Sequence, residues 1–235
     1  MDIQTLSSSS RGNCYRISDG ITPLMLECGI PWRKIQQGMN FRTYEVQACL
    51  LSHEHDDHSH AARDVINAGI DLYTSHGTAT TLGLEGHRVH EVAAGVQFRV
   101  GTWLILPFDT EHDAQEPFGY LLYSNKTKEK LLFLTDSYYS KYRFKGLTHV
   151  MIECNYAYDI LQQNIEDGLV DVGMKSRLLQ SHFSLEHVKE FLRANDLSQV
   201  REIYLIHMSE SNSDRERFRR EVMAVSGKPT YVCGE

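Results

Sequence analysis

A chain of 235 residues with 41% hydrophobic and 23% charged side chains is long enough to bury a sizeable core and too ordinary in composition for disorder or a low-complexity tract. A formal charge of −7 argues against a surface that attracts nucleic acid or acidic lipid as a whole, and leaves that task to local basic patches. Five cysteines without CxxC spacing suit reduced, buried thiols better than a disulfide frame or a thiolate zinc site; with no leader-like or membrane-length apolar segment, a cytoplasmic protein without membrane attachment is expected.

Taken in chain order, β-rich runs bounded by Gly, Ser or Asp predict short strands at 23–27, 48–52, 71–74, 97–100 and 102–107. Residues 59–68 put Ala61, Ala62, Val65 and Ile66 on one helical face and stop at Gly69, which predicts one helix. The second half repeats the mixture, with strands at 118–123, 130–135, 149–154 and 202–207. Ser184 reads as the N-cap of a helix running to about Asn195, with Phe183 and Val188 placed to staple across it. His182 then lies just outside a helix entrance. No Pro-, Gly- or Ser-rich linker divides the chain, so a single layered α/β domain over residues 1–235 is expected.

The densest chemistry is SHEHDDHSH at residues 52–60, with four histidines and three acids in nine positions. It follows the apolar run Ala48-Cys49-Leu50-Leu51. Where an apolar strand ends in a polar loop, side chains converge at a sheet edge, and imidazole and carboxylate are ligands that zinc-like cations accept. His53, His55, Asp57 and His58 form an H-x-H-x-D-H cluster. His53 and His55, alternating on an extended segment, can share one ion while Asp57 and His58 turn toward a second. Two ions need further ligands at other strand ends, and His112, Asp136 and His207 each follow an apolar run. A lone histidine in such a place is an ordinary surface or core residue; the recurrence carries the argument. His60, His76, His87, His90, His149 and His187 lack that setting.

H-x-H-x-D-H followed by isolated His112, Asp136 and His207 resembles the metallo-β-lactamase superfamily. The resemblance implies a four-layer αββα sandwich of two similar halves with a dinuclear site between the sheets. It also implies that His53, His55 and His112 hold one divalent ion, that Asp57, His58 and His207 hold the other, and that Asp136 bridges them. A narrower resemblance, to the YycJ-like (WalJ-like) branch and its phage and prophage relatives, rests on Ser7 to Cys14, His112-Asp113-Ala114 with Glu116-Pro117, Glu153 to Tyr156, Ser181 to Ser184 and His207-Met208-Ser209. Where the superfamily often has Asp after its second strand, this chain has Glu27.

Two divalent ions about 3.5–4 Å apart can generate a bridging hydroxide and stabilise an in-line displacement, so hydrolysis is the expected reaction. Zn, Mn or Fe would suit the ligands. The full ligand set resembles phosphodiesterases and glyoxalase II more than antibiotic-degrading members. Asp57 is expected to orient the attacking hydroxide, and His182, whose ordinary pKa lies near neutrality, is the candidate general acid. Ser10, Asn13 and Asn155 are candidate donors to a phosphate, against a turn-forming role. Lys141-Tyr142-Arg143-Phe144-Lys145 interleaves cations and aromatics as a single-strand track does, and Arg215, Arg217, Arg219 and Arg220 form a second basic cluster; either could be a solvated face. The resemblance implies a nuclease, an exonuclease on DNA in repair or phage recombination. The alternative is a small-molecule hydrolase, a cyclic-nucleotide phosphodiesterase or a thioesterase.

Overall fold

The computed structural model describes residues 1–234, the side chains of Val172 and Met174 excepted. The chain divides into two units, one of residues Met1–Asp109, Ala114–Glu129 and Gly234, the other of Thr110–Asp113 and Lys130–Cys233.

The first unit carries a six-stranded sheet in sequence order: β1 (Asp2–Ser7), β2 (Cys14–Ser18), β3 (Pro23–Leu26), β4 (Ala48–Leu50), β5 (Asp71–Thr74) and β6 (Val89–Glu91). β1 to β3 are antiparallel, and the pairs from β3 onward are parallel. Parallel strands joined by helices are covered on both faces, which is why β3 and β4 read as nearly unbroken apolar runs. The connecting helices are α1 (Trp32–Gly38), α2 (Asp56–Ser59), α3 (Ala62–Asn67) and α4 (His76–Leu82). Met25, Cys49, Leu72, Ile35 and Val65 meet in one buried cluster beneath them. The unit also holds three antiparallel strands, β7 (Phe98–Val100), β8 (Trp103–Asp109) and β9 (Phe118–Ser124). At their edge the buried Asp19 accepts from the hydroxyls of Thr102 and Ser124, both at 2.6 Å, and from the amides of Ile21 and Thr22.

The second unit is built on four parallel strands, β10 (Lys130–Leu134), β11 (His149–Glu153), β12 (Glu202–Ile206) and β13 (Thr230–Val232), in the order β13-β12-β11-β10. Its helices are α5 (Tyr158–Glu166), α6 (Val172–Ser181), α7 (Leu185–Ala194) and α8 (Arg215–Ser226). On α7, Leu185, Val188, Phe191 and Leu192 fall on one buried stripe. The Ser184 hydroxyl accepts from the His187 amide at 3.1 Å, the N-cap the sequence predicts.

One expected element is corrected. Residues 59–68 are not one helix: α2 ends at Ser59 and α3 begins at Ala62. The break occurs because the Ala61 amide donates to Cys28 O at 2.9 Å instead of up the helix, which ties the loop after β3 to this segment. β1, β2, α1, α4, β6 and β13 are not among the expected elements. β1 buries neither face fully, and α4 reads HGTATTL, without the apolar period that marks a helix. All five cysteines are buried, and none forms a disulfide. Among the described residues no helix is long and apolar enough to cross a membrane.

Candidate metal centre

In the first unit, four of the expected ligands come together just past the carboxyl end of β4. His53 Nε2 and His55 Nδ1 face each other at 3.1 Å, and the His53 and His58 rings lie 4.3 Å apart. Asp57 Oδ2 is 3.3 Å from His58 Nε2. His53 and His58 are buried, while His55 and Asp57 are half-buried. The short helix α2 carries Asp57 and His58, and its backbone is stitched to two neighbouring loops. Asn13 N and Cys28 N donate to Asp57 O and His58 O, each at 2.8 Å, and Gly29 N donates to Asn13 O. A side chain on Gly29 would collide with the Asp57 carbonyl, so glycine is required there by close approach.

Two groups behind these ligands fix their rings. Ser52 Oγ lies 2.8 Å from His53 Nδ1, which leaves Nε2 as the atom that could face a metal. Glu27, fully buried, sets Oε2 3.5 Å from His58 Nδ1 and accepts from the Ser52 amide. Burial pushes the Glu27 carboxyl up, and His58 and Ser52 offset part of that. Glu27 stands at φ 61, a left-handed backbone that few non-glycine residues adopt. From the position where the superfamily often has Asp, its longer side chain reaches the His58 ring.

In the second unit the candidate ligands are dispersed in sequence and gathered by register. Leu134 pairs with Ile152, and Glu153 with Ile206, so Asp136, Glu153 and His207 all lie at the carboxyl edge of one parallel sheet, where α/β folds place their sites. Asp136 Oδ1 is 2.6 Å from His207 Nδ1, and its Oδ2 is 3.6 Å from His112 Nε2. Asp136 and His207 sit at φ 34 and φ 50; strain of this kind collects at functional positions. Thr135 Oγ1 donates to Asp136 Oδ1, and His112 Nδ1 lies 2.9 Å from Ser181 O, which turns its Nε2 toward Asp136.

Glu153 is the site residue the sequence reading leaves without a role. Its Oε1 is 2.6 Å from His182 Nδ1 and 3.2 Å from His207 Nδ1, while Oε2 accepts from the amides of Ser137 and Phe183. Asp136, Glu153, His182 and His207 each offer a donor atom within 4.8 Å of the other three. Burial alone pushes the Glu153 carboxyl up, but the adjoining His182 outweighs it and holds the group below the usual carboxylate range. Burial likewise pushes His182 down, and Glu153 reverses the sign, raising it above the ordinary imidazole value. The signal for Glu153 lies in HVMIE, where a carboxylate closes the apolar run Val150-Met151-Ile152.

The remaining candidates divide. Asn13 Nδ2 donates to Ser9 O and Asp57 O, and Asn155 Nδ2 to His207 O, so both amides brace segments that carry ligands. Ser10 is exposed on a turn. Lys141 is exposed, 3.9 Å from Glu111 Oε1 and over the Tyr142 ring, and Arg143 is exposed with Nη1 on Tyr142 O. Phe144, by contrast, is buried against Phe191. In the second basic cluster Arg217 pairs with Asp159 and Glu221, and Arg219 with Glu216; much of that charge is spent within the unit.

The donor chemistry fits divalent metal in both units: buried imidazoles with nitrogens turned toward one another, a buried carboxylate among them, and a partner fixing the far side of most rings. The comparisons with known proteins agree. Residues 28–208 match the family model described as the Beta-lactamase superfamily domain. The exodeoxyribonuclease WalJ of Streptococcus pneumoniae is 27% identical over 228 residues, covering 90% of this chain and 82% of that protein. The exodeoxyribonuclease YycJ of Bacillus anthracis is 23% identical over 252 residues, covering 100% and 92%. Among solved structures, the metallo-β-lactamase fold protein YhfI of Bacillus subtilis superposes with a TM-score of 0.72 at 13% identity, covering 99% of this chain and 95% of that one. The fold is therefore the αββα type of that protein, and the chain belongs to the metallo-β-lactamase superfamily of hydrolases, with relatives in its WalJ/YycJ branch.

Proposed function

We propose that this protein is a metal-dependent phosphodiesterase that removes nucleotides from DNA, an exonuclease of repair or recombination acting in the cytoplasm as one catalytic domain. His53, His55, Asp57, His58, His112, Asp136 and His207 would hold two divalent ions, zinc or manganese. The observation that carries the reading is the complete ligand set, every member buried or half-buried at a strand end or on the short helix behind one. The names borne by its relatives support DNA as the substrate class.

When bound, the ions would activate a water and stabilise the displaced oxygen. The chain's own residues supply the rest. Asp57 orients the attacking oxygen from a backbone pinned by Asn13. His182 keeps a proton for the leaving oxygen: Glu153 takes its Nδ1 at 2.6 Å and favours the imidazolium, so Nε2 is the donating atom. Lys141 and Arg143, exposed on the segment after Asp136, are cations within this unit that a strand can use, and Ser10 is an exposed hydroxyl of the first loop.

The test is hydrolysis of end-labelled single- and double-stranded DNA and RNA with added Mn or Zn, beside cyclic nucleotides and thioesters. Stepwise loss of terminal deoxynucleotides is expected. Turnover of the small substrates with every strand left intact would overturn the reading in favour of a small-molecule hydrolase.

A further inference from the structure

Beside His112 the second unit opens into a cleft of about 850 Å³ whose lining includes His112, Asp113, Tyr138, Ser176, Arg177 and Gln180. That volume lies toward the upper end of the roughly 300–1,000 Å³ that small-ligand sites span, more than a scissile phosphate needs. Helix α6 forms one wall. Its Leu178 and Leu179 pack against the buried cluster of Tyr156, Leu161 and Val170, while Ser176, Arg177 and Gln180, on the other side of the turn, are exposed. The same helix ends at Ser181, whose carbonyl holds His112. The cleft wall and the carbonyl that holds His112 therefore belong to one helix.

Arg177 is the only cation among the cleft's lining residues. Its Nε donates to Asp113 Oδ2 at 3.1 Å, and its two Nη groups make no hydrogen bond among the described residues. Asp113 thus aims the guanidinium without using the pair of donors that match two oxygens of a phosphate. Tyr138 offers a ring, and Gln180 and Ser176 offer neutral donors. Glu111 and Asp113 make the rest of the wall acidic, so one forked cation, not a broad basic track, is what an anion finds here.

We infer that this cleft seats a neighbouring backbone phosphate of a single-stranded nucleic acid, one that is not being cut, with Arg177 as its clamp. The assignment rests on the nuclease reading and adds the subsite that positions the strand. It fits the chain's acidity, because a single clamp beside two divalent ions needs few additional cations.

The test measures anisotropy of a labelled 12-nucleotide single strand with Mn-loaded Asp57→Asn protein, alone and combined with Arg177→Ala or Arg177→Lys, across a salt series. Arg177→Ala should weaken binding about tenfold or more and lower the salt slope by about one. Arg177→Lys should keep the slope and recover part of the affinity, since it retains charge but not the fork. In otherwise native protein, Arg177→Ala should cost at least ten times more kcat/KM on the strand than on bis(4-nitrophenyl) phosphate. Unchanged affinity and slope, or equal losses on both substrates, would overturn the clamp while leaving the nuclease reading intact. If the parent protein turned over the diester but neither bound nor cut any strand, the nuclease reading would fall and the subsite with it.

Discussion

Four candidate ligands of the first unit lie within six consecutive positions, His53 to His58, whereas those of the second are collected from positions 112, 136 and 207. The two sets are held differently as a result. In the first, an extended segment and a four-residue helix present the side chains, and hydrogen bonds from Asn13 and Cys28 to the backbone of Asp57 and His58 keep that short helix in place. In the second, strand register does the gathering, and Asp136 and His207 turn their side chains inward through left-handed backbone angles. Each set has one fully buried glutamate behind it, Glu27 or Glu153. Glu27 supports one imidazole, and Glu153 contacts two. A compact motif needs braces for its backbone; a dispersed one needs a sheet edge and a shared carboxylate.

The largest expected effect breaks the second set at its centre. Asp136→Ala should abolish metal-dependent DNA hydrolysis, a loss beyond the roughly 10- to 100-fold typical of residues that only support ligands, with circular dichroism unchanged. Persisting turnover would remove Asp136 from the site. Next, His182→Ala should lower kcat by about 10²- to 10⁴-fold on DNA, the span of general acid catalysis. On a 4-nitrophenyl ester, whose leaving group needs no proton, the loss should be much smaller, and equal losses on both would refute proton donation.

The comparison between glutamates gives the third prediction. Glu153→Gln and Glu27→Gln should each weaken metal binding by roughly 10- to 100-fold, Glu153→Gln more, because Glu153 stands 3.2 Å from His207 Nδ1 whereas Glu27 stands 3.5 Å from His58 Nδ1. Metal titration against a chromophoric chelator reads this order, and the reverse order would contradict the account of how the sets differ. The smallest effect lies away from both sets. Burial alone would raise the Asp19 carboxyl, but donation from Ser124, Thr102, Thr22 and Ile21 outweighs it and holds the group below its ordinary 3.8. Its contribution should therefore be complete above pH 3.8 and lost as pH falls through the lower folded-state value. Asp19→Ala should cost about 1–3 kcal/mol near neutrality, and the gap in melting temperature from the native chain should shrink in strong acid.

The contrast also explains what could be read in advance. The first set stands out because H-x-H-x-D-H is contiguous, and the rule that ligands follow apolar runs singles out His112, Asp136 and His207 as candidates. Glu153 obeys the same rule but sits inside the last strand position, where a glutamate looks like an ordinary strand terminus. The core strands were legible because buried parallel strands are uniformly apolar. The break between α2 and α3 was not, since it depends on a hydrogen bond from Ala61 to Cys28, 33 positions away in the chain. The wall formed by α6 was hidden for a related reason: which polar side chains of VGMKSRLLQS line a cleft depends on what Leu178 and Leu179 pack against.

The most direct test of the central claim is the metal content of protein loaded with Zn or Mn and dialysed against buffer, measured by inductively coupled plasma mass spectrometry beside the His53→Ala/His55→Ala and His207→Ala variants. Two ions per native chain, falling to about one in each variant, is the predicted result. A native chain that retains no ion, or variants that retain both, would contradict a dinuclear centre built from these residues.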